Sequence, residues 1–368
     1  MKLKIAFVVD DKNSFLHTRA VSISRNLNSE IFSSEIFYFN TIKKNKKTLI
    51  NFIKTMKDKF QIAYFIDLGN SKLFTAIILK MFFNIKIIID IGDDYYLLNK
   101  NKNTPVFKLF KIRLIQALFL KTADIIITRG FFHKKYLSEK LHYKNVFQFP
   151  DSIDPNHSYR RDTKQLKKKL NIKKNELVIG VMGSLNWNKK YEMCYGWDLI
   201  EALPLIKDLK IKIVIIGDGD GKKHLLRTIE KENLTDKVIF TGTIKYKILP
   251  EYLSLFDIGI STQTNNSVGW FRTTGKLPEY LAHEVYVIAT NVGEASIRLT
   301  TCGSLLHYNG IKDKNYPKLL AKEIRKLYKN RKLLSKKAGA GRKIAEKYFS
   351  YPVNTAELEK IILSTVKK

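Results

Sequence analysis

The chain is expected to be an α/β protein made of two doubly wound, Rossmann-like domains. Three observations carry that expectation. Short runs rich in Ile and Val alternate with longer amphipathic stretches, the pattern of parallel strands joined by crossover helices. The alternation comes as two successive series with a turn-rich stretch between them. A length of 368 residues suffices for two domains, each of about 170 residues.

In the first series, strands are expected at 3–9, 35–39, 61–66, 86–91, 124–128 and 146–149, with helices at 17–28, 47–59, 71–83, 106–121 and 131–140. The opening apolar run follows a positive charge, as in a signal peptide, but ends after five residues at Asp10-Asp11. It reads as a buried first strand. In the second series, strands are expected at 177–182, 211–216, 237–241, 257–261, 285–290 and 304–307. Helices fall at 190–206, 221–232, 248–255, 275–283, 317–329 and 331–349. Between the series lie the turn-rich Pro150-Asp-Ser-Ile-Asp-Pro155 and a basic helix at 163–170. The expected organisation is a first domain over 1–172, a second over 173–347 and a terminal helix over 348–368.

With 45% hydrophobic residues the chain can fill real cores, which excludes a disordered chain. Its two cysteines, Cys194 and Cys302, make no disulfide framework and suit a reducing compartment. No apolar run approaches the roughly 18–20 residues of a membrane span, so a cytoplasmic location is expected. The formal net charge is +32. Richness in Lys, Ile and Asn, as from an AT-rich coding bias, explains part of it. The remainder should attract anionic surfaces: acidic lipid, nucleic acid or nucleotide sugars.

The most informative stretch is Gly269-Trp-Phe-Arg-Thr-Thr-Gly-Lys-Leu-Pro-Glu-Tyr-Leu-Ala282. Thr274, Gly275 and Lys276 open an expected helix, where unpaired N–H groups and a partial positive charge favour a phosphate. Glu279, one turn on, is placed to accept from a sugar hydroxyl. An ordinary capped helix is the alternative. Gly183-Ser-Leu-Asn-Trp-Asn-Lys-Lys190 follows the strand at 177–182 and offers Lys189 and Lys190 to an anion, or simply a solvated Lys pair. Gly217-Asp-Gly-Asp-Gly221 lacks both the dinucleotide spacing and the later ligands of a calcium loop, so it reads as a tight turn. In Val238-Ile-Phe-Thr-Gly242-Thr-Ile244 the glycine allows a planar group to approach the main chain.

In the first domain, His17 at the start of the first helix and Asp90, Asp93 and Asp94 after the strand at 86–91 sit at carboxyl ends of strands, where ligands bind in open α/β sheets. His17 or Asp94 is a candidate for handling the proton of an acceptor hydroxyl. A plain loop histidine and a helix N-cap are the alternatives. Residues 41–60 hold seven Lys against one Asp among apolar residues, as a membrane-surface helix would. Residues 107–121 form a basic helix with an apolar, aromatic face, which reads as a core helix with a basic outer face or, alternatively, as a helix lying on an anionic bilayer.

Lys276-Leu-Pro-Glu-Tyr-Leu-Ala282, with Val287-Ile-Ala-Thr-Asn-Val-Gly293 after it, resembles the donor-binding signature of the family 4 glycosyltransferases of GT-B fold. Pro150–Asp154 and the terminal Phe349-Ser-Tyr351 are similar to further elements of that family, as is the Gly217 turn. The resemblance implies an interdomain cleft, with the donor on the second domain and the acceptor on the first. It implies a final helix that returns to the first domain. It also implies transfer from a nucleotide diphosphate sugar (UDP or GDP) with retention, without cofactor or metal. The acceptor expected with it is a membrane-linked or cell-surface glycan. The positive charge and the Lys excess of 41–60 point separately to an anionic membrane surface as partner, with a peripheral place on the inner face of the membrane. An inactive scaffold serving as a partner subunit is the alternative. No nucleic-acid partner is expected, since no recognised motif is present.

On this resemblance Gly183, Lys190, Lys276, Thr274 and Gly275 surround the diphosphate, Glu279 takes the ribose, and Gly242 and Ile244 present main chain to the base. Two departures stand out. Ser184 occupies the place of the family's diphosphate-binding Arg, with Lys189 or Arg272 as substitutes. Phe271 occupies the place of the first Glu of the family's acidic pair, which helps hold the donor sugar.

Overall fold

A computed structural model describes residues 2–12, 14–100 and 104–366. Met1, Lys367 and Lys368, at the ends of the expected first domain and terminal helix, lie outside the described residues. The chain divides into two compact units. One comprises Met1–Asp151, Phe271–Thr273 and Tyr351–Lys368, the other Ser152–Trp270 and Thr274–Ser350.

In the first unit, β1 (Leu3–Val9), β2 (Phe32–Tyr38), β3 (Ile62–Ile66), β4 (Lys86–Ile91), β5 (Ile125–Thr128) and β6 (Val146–Gln148) form one parallel sheet in the order β2-β1-β3-β4-β5-β6. Alternate residues serve opposite faces. Ala6, Val8, Ala63 and Phe65 join one core, while Ile5, Phe7, Ile62 and Tyr64 join the other. Both faces are covered, which is why these strands read as unbroken apolar runs. The helix Tyr351–Val366 closes the second of these cores through Tyr351, Leu358 and Ile362.

In the second unit, β7 (Leu177–Met182), β8 (Ile211–Ile216), β9 (Val238–Gly242), β10 (Ile258–Ser261), β11 (Tyr286–Thr290) and β12 (Gly303–Leu306) form a second parallel sheet in the order β12-β11-β10-β7-β8-β9. Ile179, Ile213 and Ile288 face one core and Val178, Val214 and Val287 the other.

All twelve strands lie within a few residues of their expected positions. The helices differ more. The expected helix at 190–206 is a loop up to Gly196, then a helix Trp197–Ala202 and a 3-10 turn Leu203–Ile206. A bridge between Asn188 and Met193 and the left-handed Gly196 (φ 87°) hold that loop out of helix. Three short helices, Phe39–Ile42, Ser267–Phe271 and Glu294–Arg298, are outside the expectation, because segments of so few residues carry too little periodicity, and Tyr95–Lys100 enters it only through the N-cap alternative. The basic helix Lys164–Lys169, expected in the first domain, falls in the second unit, where Leu166, Leu170 and Ile172 pack into its core.

The first unit is organised around a buried charge cluster. Arg19, fully buried, donates to Asp90 (2.8 Å) and to the carbonyls of Phe149 (2.8 Å) and Pro150 (3.2 Å). Tyr64 donates to the same Asp90 oxygen at 2.9 Å, and Arg129 lies 3.6 Å from Asp90 and 3.8 Å from Asp151. Burial opposes the charge on Arg19, but Asp90 and its neighbours prevail and raise its pKa. Asp90, read from the sequence as a possible acceptor-side acid, is thus fully buried structure. Removing one partner leaves the others as uncompensated buried charge. Arg19→Met is expected to lower unfolding free energy by about 3–5 kcal/mol in a denaturant titration. Arg19→Lys should fail to restore it, since an ammonium cannot reproduce the guanidinium fork. Wild-type stability in either variant would show that the cluster is not central to the unit.

Candidate functional site

The second sheet reverses its strand order between β7 and β10. In open α/β sheets such a reversal splays the following loops apart and leaves a crevice at the carboxyl ends. On the β7 side of this reversal the loops after β7, β8 and β9 meet main chain to main chain. Gly183, just after β7, has φ +151° and donates its N–H to the Ile216 carbonyl at 2.9 Å. Gly217, just after β8, donates to the carbonyl of Gly242 at 2.9 Å. A Cβ on Gly217 would lie 1.9 Å from the Gly183 carbonyl oxygen, so only glycine fits.

From β10 the chain runs to the seven-residue helix Lys276–Ala282. The Lys276 side chain reaches back to the β7 loop. Its ammonium lies 3.4 Å from the centre of the Tyr195 ring, and its Cε is 2.9 Å from where a Gly183 Cβ would stand. Lys276 is only 8% exposed, a cation held on an aromatic face beside bare backbone. Thr274 and Gly275 are half-buried at the start of this helix, with open space beside Gly275.

Glu279 is buried on the same helix, its carboxyl beside the hydroxyls of Ser158 and Tyr246. Burial pushes it up to about 7 against the effect of those hydroxyls. His283 is 3.6 Å away, but burial lowers it to about 4, so near neutral pH it brings no charge. Tyr246 stacks on His157 at 4.5 Å and follows the Gly242-Thr243-Ile244 segment. Gly242 (φ +69°) has nothing near its α-carbon on the Cβ side, and Ile244 packs against the core.

The second unit therefore brings Gly183, Gly242 and Lys276 to one edge, with Glu279 one turn beyond. Lys189 and Lys190 are exposed on the loop leaving Gly183. The Lys190 N–H donates to Asn188 Oδ1 at 3.0 Å, and its ammonium lies 5.3 Å from the Tyr191 ring. The helix expected from 190 does not begin there; the loop continues to Gly196. Tyr195 and Ser158 were missed; only contact in the folded unit reveals them.

Arg272 has a different place from the one expected. It belongs to the first unit, where its guanidinium makes two 2.8 Å bonds to the Asp93 carboxylate. Phe271 stacks parallel on His133 at 5.3 Å, and Thr273 donates to Asp151 at 3.0 Å. This tripeptide packs as part of the first unit, with Asp93 as its anchor. Asp94 caps the helix Tyr95–Lys100: one oxygen accepts from the Leu97 N–H (2.9 Å), the other from Gln116 (3.0 Å). The cap alternative describes it. His17 follows Ser14, which caps the helix Phe15–Asn26, and its Nδ1 lies 3.5 Å from the Tyr38 hydroxyl. Burial, then Lys12, lowers its pKa, so it is neutral near pH 7. Asp67, absent from the sequence reading, stands at the first sheet's reversal with φ 61° and lies 3.7 Å from Arg129.

Both sheets and their connections define a GT-B architecture, which solved structures share. A sucrose-phosphate synthase from Thermosynechococcus elongatus superposes with TM-score 0.78, 13% identity and 100% of both chains covered. Anabaena HepE, solved with UDP and glucose, gives TM-score 0.75 and 14% identity over 98% of this chain and 100% of its own. The family model for glycosyl transferases group 1 matches residues 162–344, the stretch that carries the β7–β10 edge. Through this stretch the chain belongs to the group 1 glycosyltransferases of GT-B fold. It is 25% identical over 151 residues to N-acetyl-alpha-D-glucosaminyl L-malate synthase of Bacillus anthracis, covering 41% of this chain and 36% of that protein. It is 21% identical over 125 residues to 2-deoxystreptamine N-acetyl-D-glucosaminyltransferase of Streptomyces fradiae, covering 33% and 28%. The matches span about a third of the length of these relatives.

The elevated Glu279 gives a pH test. Its folded pKa lies above the ordinary carboxylate value, so the folded chain holds the proton over the interval between them. Ionisation at about 7 therefore works against stability as pH rises, while the carboxylate formed is the better acceptor for a sugar hydroxyl. Calorimetry with a nucleotide sugar should show affinity rising from about pH 6 to about pH 8 and a flat profile for Glu279→Gln. A wild-type profile that is equally flat would remove Glu279 from the site.

Proposed function

We propose that the protein transfers a sugar from a nucleotide diphosphate sugar to a glycan acceptor, with retention and without a metal or cofactor. The observation that carries this reading is the buried Lys276 ammonium set against Gly183 at the β7–β10 edge, inside the family-matched stretch. There a fixed cation stabilises a diphosphate as it leaves, and the charge needs no reorganisation at the moment of reaction. Lys190, or Lys189, adds exposed positive charge, Thr274 and Gly275 border the phosphates, Glu279 accepts from the ribose, and the main chain at Gly242 and Ile244 meets the base. UDP is favoured over GDP because HepE binds UDP and UDP-glucose. The acceptor proton passes to the neutral imidazole of His17 or, where that residue is dispensable, to a phosphate oxygen of the donor, and no protein nucleophile is invoked. The acceptor is a membrane-linked or cell-surface glycan, met on an anionic membrane surface.

Arg272 and Asp94 have other work in this reading: one docks on Asp93 and the other caps a helix. His17 remains on the acceptor side as a neutral imidazole. An inactive partner subunit is the second reading, favoured by Phe271 in place of the family Glu. A panel of nucleotide sugars with hydrolysis or transfer as readout separates the two. Turnover with a UDP-sugar is expected, and Lys276→Met should reduce donor affinity about 10- to 100-fold, the range of a charge-assisted hydrogen bond. Tight nucleotide binding without turnover on any donor would favour the inactive scaffold, while unchanged affinity in Lys276→Met would sink the site. For His17→Ala, a lower kcat with a near-normal donor KM is expected. An unchanged kcat would leave the first unit with no proton-handling role through this residue.

A further inference from the structure

We infer that the face made by the helices Asn70–Phe83 and Val106–Thr122 of the first unit docks on an anionic lipid membrane. This deepens the surface part of the functional reading and rests on it. The two helices pack side by side, and each turns an apolar stripe outward. On the first, Phe74 is 62% exposed, Met81 75% and Phe82 73%; on the second, Phe107 is 78% exposed and Phe110 69%. Phe107, Phe110, Leu114 and Leu118 recur at helical spacing, all exposed, so the stripe is continuous along one face.

Of the two readings of 107–121, this exposure supports the bilayer-surface helix over the core helix. Apolar and basic residues are both spread around this helix, so periodicity gives no direction, and the residues it buries are Gln116, Phe119 and Leu120. The expectation for 41–60 also shifts. The helix Lys46–Lys59 buries Phe52 and Met56 and leaves its lysines outward. It borders the apolar face, with Lys57 5.7 Å from the Phe83 ring. It supplies a basic margin; the apolar contact belongs to its neighbours.

Charge decides the occupant. Neither of the two helices contains Asp or Glu, and Lys108, Lys111, Arg113 and Lys121 are exposed on the second. Cations around an exposed aromatic stripe suit an interface of acidic headgroups over acyl chains. A second copy would bring the same cations against themselves. Among the described residues no helix is long and apolar enough to cross a membrane, so the face lies on the bilayer.

The test is co-sedimentation of the full chain with phosphatidylcholine vesicles, with and without phosphatidylglycerol, at low and high salt. Wild type should bind the phosphatidylglycerol vesicles, less so at high salt. Phe107→Ser/Phe110→Ser should bind about tenfold or more weakly at low salt, as loss of two inserted rings requires. Lys108→Gln/Lys111→Gln should lose the preference for phosphatidylglycerol. All these side chains are exposed, so thermal melting should be unchanged, as should sugar transfer to a soluble acceptor. Wild-type binding by the serine variant overturns the proposal. So does a wild type that ignores both vesicles, or one that self-associates through this face while the variant still binds lipid. A wild type that binds vesicles but transfers no sugar would instead count against the transferase reading.

Discussion

The approach of three backbones at the carboxyl edge of the second sheet is the constraint on which the candidate site depends. Gly183, Gly217 and Gly242 lie at the ends of β7, β8 and β9, linked by main-chain hydrogen bonds at 2.9 Å. A side chain at Gly217 would force the β7 and β8 loops apart, since its Cβ would overlap the Gly183 carbonyl. Because the loops are closed and bare, Lys276 can lie against them with its charge on the Tyr195 face. The long side chain crosses from the β10 side of the reversal to the β7 side. The geometry therefore follows from strand order and glycine placement together.

The first unit uses its acids as anchors. Asp90 holds Arg19 inside the sheet, Asp93 receives Arg272, Asp94 caps a helix and Asp151 receives Thr273. In a chain of net charge +32 these few carboxylates are matched to specific cations and helix ends. The segment Phe271–Thr273 is the clearest case: one residue stacks, one forms an ion pair and one donates a hydrogen bond, all within the unit. The apolar side chain at 271 thus has a packing job, a reason for the residue to depart from an acid.

How much could be read in the sequence depended on how far each signal reached. Strands were legible because a parallel sheet buried on both faces demands unbroken Ile and Val, and the twelve runs supply them. Gly183, Lys276 and Glu279 could be found because each sits at a fixed distance from a strand or helix end. The stretch 190–196 could not, since a Gly in left-handed conformation and a single bridge override its amphipathic look. Arg272 and Asp94 were misplaced because the sequence shows charge but not partners. The outer face of Val106–Thr122 could be read two ways because apolar and basic residues are both spread around that helix, and only packing reveals the side left uncovered.

The central claim is that the β7–β10 edge of the second unit holds the donor diphosphate. A crystal structure of the chain with a UDP-sugar tests it most directly. The account predicts phosphate oxygens within hydrogen-bonding distance of the Lys276 ammonium and beside the Gly183 backbone, with a ribose hydroxyl on Glu279. A nucleotide bound elsewhere, with Lys276 still resting on Tyr195 and Glu279 untouched, would contradict it.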